Sequence, residues 1–81
     1  MTEQFKQILD GINPEILENP DTDLVEDGIL DSLTIMEIIE ELENAYEVDF
    51  DPDDVSPENF ASAEAIWNVL QKYLREKAGE A

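Results

Sequence analysis

An all-α four-helix bundle is the fold this sequence predicts, with three main helices plus a short third one. Three observations point there. Apolar residues recur at helical spacing in three separate segments. Hydrophobic residues make up 42% of the chain, enough for a folded core despite the high charge. The chain has 81 residues, and a core divided between two units of half that size would be too thin for either. A single domain over residues 1–81 is therefore expected, with about 76–81 as a frayed C-terminal tail.

Phe5, Ile8, Leu9 and Ile12 fall at i, i+3, i+4 and i+7, one face of a short first helix that Gly11 and Asn13-Pro14 close. Pro14 to Leu30 reads as a long, partly packed loop, punctuated by Pro20 and Gly28, with paired apolar residues able to cover a bundle. From Asp31 to Tyr46 the residues divide between two faces of a helical wheel. Ile35, Ile38, Ile39, Leu42, Ala45 and Tyr46 gather on one side; Glu37, Glu40, Glu41, Glu43 and Glu47 gather on the other. Asp31 is suited to be the N-cap, which makes Ser32 the first helical residue, at an exposed tip. Asp51-Pro52 and Ser56-Pro57 each look like a cap followed by proline at the first helical position, so one or two single-turn helices fit there. The last helix starts near Ser62 with Ala63, Ile66, Trp67, Leu70, Tyr73 and Leu74 as its apolar stripe, and frays through the final residues.

Charge narrows the function. The chain carries 4 basic and 22 acidic residues, net −18, and only Glu3, Glu76 and Glu80 lie outside the interval from Lys6 to Lys72, which leaves 19 acids and no base between them. Such a surface repels phosphate backbones and anionic membranes, so nucleic acid and membrane partners are excluded and basic protein surfaces are expected. With no Cys and no His, the chain lacks thiolate nucleophiles, the usual zinc sets and the common neutral-pH base. It is not expected to be an enzyme. The polar start MTEQFKQIL is unlike a secretory signal, and no uncharged run approaches the ~20 residues of a membrane span, so a soluble, cytoplasmic monomer is expected.

Asp-rich stretches suggest calcium, and both candidates fail the EF-hand spacing. Counting from Asp49 puts Asp54 where the turn glycine belongs and Phe60 where the bidentate glutamate belongs; counting from Asp21 puts Ser32 at that last position. No metal is expected. Leu33 is the odd residue, because the wheel sets it among the glutamates, exposed beside Ser32. Met36 borders the same face and reads either as a core filler or as a partner contact.

The run Asp27-Gly28-Ile29-Leu30-Asp31-Ser32-Leu33 resembles the Asp-Ser-Leu attachment motif of phosphopantetheine-dependent carrier proteins, the acyl carrier protein family. The likeness extends over nearly the whole chain: an Asp-Leu-Val-Glu-Asp lead-in at 23–27, an acidic helix after the serine, a short helix and an apolar final helix. It implies an acyl-carrier-like bundle with a covalent 4′-phosphopantetheine, taken from coenzyme A and attached to Ser32 between Asp31 and Leu33 by a separate phosphopantetheinyl transferase. The arm would hold acyl or aminoacyl groups as thioesters, loaded by a ligase and delivered to enzymes of lipid or secondary biosynthesis. By the same resemblance, Leu33, Met36, Glu37, Glu40, Glu41 and Glu43 would meet basic docking surfaces on those enzymes. Fatty-acid carriers usually read Leu-Gly-Ala-Asp-Ser-Leu, whereas here Gly28 precedes Ile-Leu, which is closer to D-alanyl and stand-alone carriers. From another class, the alternative is an unmodified acidic adaptor in which Ser32 is a cap or a phosphorylation site.

Overall fold

The computed structural model describes residues 1–79. Its elements are α1 (Glu3–Ile12), α2 (Glu15–Glu18), α3 (Ser32–Tyr46), two single-turn 3-10 helices at Pro52–Asp54 and Glu58–Phe60, and α4 (Ala63–Gly79). There is no strand among the described residues. The all-α bundle is therefore present, with the acidic central helix as α3.

Each main helix starts where a side-chain oxygen can take a first-turn amide. Thr2 Oγ1 accepts from Phe5 N at 3.3 Å, Asp31 Oδ1 from Thr34 N at 2.9 Å, and Ser62 Oγ from Ala65 N at 3.0 Å. The single-turn helices use the same device: Asp51 Oδ1 accepts from Asp53 N at 2.9 Å and Ser56 Oγ from Asn59 N at 3.4 Å. At the other end of α3, Glu47 takes the left-handed conformation with φ 55° that usually falls to glycine. Lys77 compensates. Its ammonium donates to the Tyr46 and Glu47 carbonyls, both at 3.2 Å, satisfying acceptors at the negative end of the helix.

The tail expected to fray from residue 76 is helical through Gly79, and Lys77 lies within that last stretch; Glu80 and Ala81 lie outside the described residues. The stretch 14–30 is likewise more ordered than a loop. Residues 15–18 form α2, capped at Glu15 N by Asn13 Oδ1, and Ile16 is fully buried. Beyond it, Asp23 Oδ1 accepts from the amides of Val25 and Glu26, Leu24 N bonds to Ala61 O at 2.7 Å, and Leu30 N bonds to Leu24 O at 2.9 Å. Gly28, at φ 79°, supplies the left-handed residue this turn needs.

The core joins Phe5 and Leu9 of α1 to Ile38, Ile39 and Leu42 of α3 and to Ile66 and Leu70 of α4, with Phe60 sealing one side. Phe5 packs on Trp67 with ring centroids 4.9 Å apart. Ala45, read as part of the apolar face, is exposed, since it lies on the margin of the stripe one residue before the end of α3.

Candidate functional site

Ser32 is the first residue of α3, and its side chain is exposed. The sequence forces this placement: Asp31 caps the helix in extended conformation, and the buried Leu30 anchors the approach. Hydrogen bonds from the Thr34 amide and hydroxyl hold the Asp31 carboxyl below the ordinary value of 3.8, so it is ionised and turned onto the helix end. Asp31 thus positions Ser32 rather than offering a free carboxylate beside it.

The chain has three serines, and the other two are in use. Ser56 Oγ accepts from Asn59 N and Ser62 Oγ from Ala65 N. Among the described residues, only the Ser32 hydroxyl stands in the open with no such bond.

Apolar surface is concentrated around it. Large hydrophobic side chains are exposed at Met1, Leu33, Met36 and Val55, and the last three surround Ser32. Leu33 is 76% exposed and Met36 60%. A cleft of about 610 Å³ opens beside Ser32, walled by Val25 and Leu30, by Ile35 and Met36 of α3, and by Val55 and Pro57 from the segment beyond α3. Gly28 lines it too, and a Cβ added there would meet nothing within 4 Å.

The segment that brings Val55 to the cleft is held from α4 at the preceding residue. Asp54 Oδ2 accepts from the Tyr73 hydroxyl in a short hydrogen bond and from Lys72 Nζ at 2.9 Å, while Tyr73 Oη accepts from Asp51 N at 2.9 Å. Those bonds, Tyr73 first and Lys72 second, keep the Asp54 carboxyl below its ordinary range, and burial with the Asp54 bond pushes the Tyr73 phenol up. Lys72 is raised by its bond to Asp54. None of this cluster, nor the cleft residues Val25, Val55 and Pro57, is identified from the sequence. A lone apolar Val55 inside an otherwise acidic run was the available signal.

The expected docking residues divide. Leu33, Met36 and Glu40, at i, i+3 and i+7, form the outward ridge of α3. Met36 faces the Ser32 cleft, whereas Glu37, Glu40 and Glu41 border a second hollow toward α1. Glu43 is half-buried, and its carboxylate accepts from Phe50 N at 2.9 Å, which fastens the chain leaving α3.

An exposed nucleophilic hydroxyl at a helix N-terminus suits a phosphodiester, because first-turn amides and the helix dipole favour an anion. The adjoining apolar cleft suits an uncharged tether or its cargo. The residues present therefore fit a phosphate-linked arm on Ser32. No helix among the described residues is long and apolar enough to cross a membrane.

Comparison with known proteins agrees. The family described as phosphopantetheine attachment site matches residues 2–66. The D-alanyl carrier protein of Lactococcus lactis subsp. cremoris (strain MG1363) is 37% identical over 82 residues, covering 99% of each chain. The D-alanyl carrier protein of Lactococcus lactis subsp. lactis (strain IL1403) is 35% identical over 74 residues, covering 89% of this chain and 94% of that one.

Proposed function

The chain belongs to the phosphopantetheine attachment family, and on that premise we propose that Ser32 bears the arm and that the protein passes acyl or aminoacyl thioesters between enzymes. As a member of that family it is a carrier protein with a covalent 4′-phosphopantetheine, and it is not itself an enzyme. The prosthetic group supplies the thiol that a chain without cysteine cannot. One observation carries the assignment to Ser32: of three serines, it alone has a hydroxyl exposed and unengaged in capping.

Attachment asks little of the carrier beyond presentation. The Ser32 oxygen forms the new bond to phosphorus, its proton passes to a base on the transferase, and the nucleotide portion of coenzyme A departs. Asp31 fixes the helix end that presents this oxygen. Leu33 and Met36 offer the transferase apolar contacts, and the exposed glutamates of α3 steer its basic surface. Contacts of this kind favour fast arrival and fast release, as a carrier visiting several enzymes requires.

The cargo we propose is a small aminoacyl group. The relatives are named for D-alanyl, and the Gly28-Ile29-Leu30-Asp31 approach to the serine resembles such carriers.

The test combines the protein with coenzyme A, magnesium and a broad-specificity phosphopantetheinyl transferase, followed by intact mass measurement. Gain of one arm, abolished by Ser32→Ala, is the expected result. An unchanged parent mass, under conditions that modify a control carrier, would leave only the acidic adaptor. Offering the loaded protein D-alanine, ATP and a D-alanine-activating ligase then tests the cargo: a hydroxylamine-labile D-alanyl adduct supports it, and loading by a fatty-acyl ligase alone refutes it.

A further inference from the structure

Tyr73 is buried on α4, and its ring packs on Phe50 with centroids 4.9 Å apart. A phenylalanine would meet that packing equally well, so the hydroxyl is distinguished by its bonds. Both go to one turn. The oxygen accepts from Asp51 N at 2.9 Å and donates to Asp54 Oδ2, and Lys72 Nζ reaches the same carboxylate at 2.9 Å. Among the described residues, these are the hydrogen bonds that fasten residues 51–57 to a main helix.

Val55 follows Asp54 directly, and with Pro57 it walls the cleft beside Ser32. The other walls have separate supports. Ile35 and Met36 belong to α3, and the Val25 side is fastened by Leu24 N to Ala61 O at 2.7 Å and by Leu30 N to Leu24 O at 2.9 Å. α4 is a firm platform for its own part, because Ile66 and Leu70 are fully buried in the core. An apolar cleft would gain from burying more of any alkyl chain wherever space allowed, so a limit on size needs a wall that does not yield. A single turn held by local bonds alone would yield; one bonded to a buried phenol and an ammonium is stiff.

We propose that the Tyr73 hydroxyl is a specificity-determining position: by holding Asp54 it keeps Val55 at the cleft and restricts the group admitted beside Ser32 to a short one. Tyr73 touches no cargo. It is a positioning residue that acts through Asp54 and Val55. The inference rests on the reading of the protein as a carrier of small thioesters, and adds to it the device that limits their size.

The probes are the N-acetylcysteamine thioesters of acetate and octanoate, uncharged mimics of the end of a loaded arm. Each is titrated into the whole ¹⁵N-labelled protein without an arm and followed by amide chemical shifts. In the parent both should give saturable shifts at Val25, Ile35 and Val55 with affinities within about two-fold of each other, the octanoyl tail staying in water. Tyr73→Phe keeps the ring and loses both bonds. It should tighten octanoyl binding roughly ten-fold, as burial of about two further methylenes would, and leave acetyl binding unchanged. Asp54→Asn still accepts from the hydroxyl and should behave as the parent does, whereas Val55→Ala should reproduce the octanoyl gain without touching the cluster. Should Tyr73→Phe fail to fold, Asp54→Ala replaces it with the same expected result. A tyrosine that merely supported the fold would change both affinities together or neither. Either of those outcomes, a ten-fold preference for octanoyl already present in the parent, or acetyl shifts centred away from the cleft would overturn the proposal. The probes need no arm, so failed attachment at Ser32 is read by mass and failure of this inference by titration.

Discussion

Around Asp54 the chain ties its polar groups to one another, whereas on the cleft beside it the Ser32 hydroxyl is left untied. Asp54 receives Tyr73 and Lys72 from α4, and its own carbonyl accepts from Asn59 Nδ2 at 2.8 Å. Ser32 has no such attachment, and Leu33 and Met36 beside it are the most exposed large hydrophobic side chains. The difference teaches how a small bundle divides its labour. One cleft wall is fixed by an internal cluster so that the other can present a reactive oxygen and sticky residues to strangers.

The sharpest way to break this comparison contrasts two leucines of α3. Leu42 is fully buried and Leu33 lies on the ridge, so Leu42→Ala should cost about 2–5 kcal/mol in urea unfolding while Leu33→Ala stays within about 0.5 kcal/mol. Leu33→Ala should instead raise the transferase's KM for the carrier. Equal stability losses would mean that Leu33 supports the fold.

Next in size is Tyr73→Phe, which removes a donor to Asp54 and an acceptor for the Asp51 amide, at an expected cost of about 1–2 kcal/mol near neutral pH. The sign of its pH dependence follows from the shifts. Asp54 is lower in the folded state, so its contribution is present above the ordinary 3.8 and is lost as pH falls through the folded value beneath it. Tyr73 and Lys72 are raised, so theirs are complete below the ordinary 10.0 and 10.5 and are lost as pH rises through the higher folded values. The deficit of Tyr73→Phe against the parent should therefore be flat between these limits and shrink beyond each, as urea unfolding at acidic, neutral and alkaline pH will show.

The smallest effect is that of salt. With net charge −18, raising NaCl from about 10 mM to about 0.5 M should raise the melting temperature by a few degrees through screening of self-repulsion. A flat or falling curve would mean that the exposed glutamates cost the fold little.

Residues that act within one helical turn of each other were legible in the sequence. The Phe5-Ile8-Leu9-Ile12 face, the Asp31 cap, the leading position of Ser32, the cap at Asp51 and the start of the last helix near Ser62 all appear as read. α2 escaped because four residues make barely one turn, too few to show a period. The bond from Lys77 to the Tyr46 carbonyl joins residues 31 positions apart, beyond the reach of any local pattern. The Asp54 cluster spans 18 and 19 positions, and the cleft wall at Val55 and Pro57 is brought beside Ser32 only by tertiary packing. Glu43 was set with the acidic face by its angle on the wheel, yet its backbone partner, Phe50, lies seven residues on, beyond the end of the helix.

The central claim concerns one oxygen, and mapping the transferred arm tests it most directly. After incubation with coenzyme A and a phosphopantetheinyl transferase, the protein is digested and its peptides fragmented in the mass spectrometer. The account predicts the added mass on Ser32 in every modified peptide and none on Ser56 or Ser62, whose hydroxyls are engaged in caps. An arm found on either of those serines, or on none while a control carrier is modified, would contradict it.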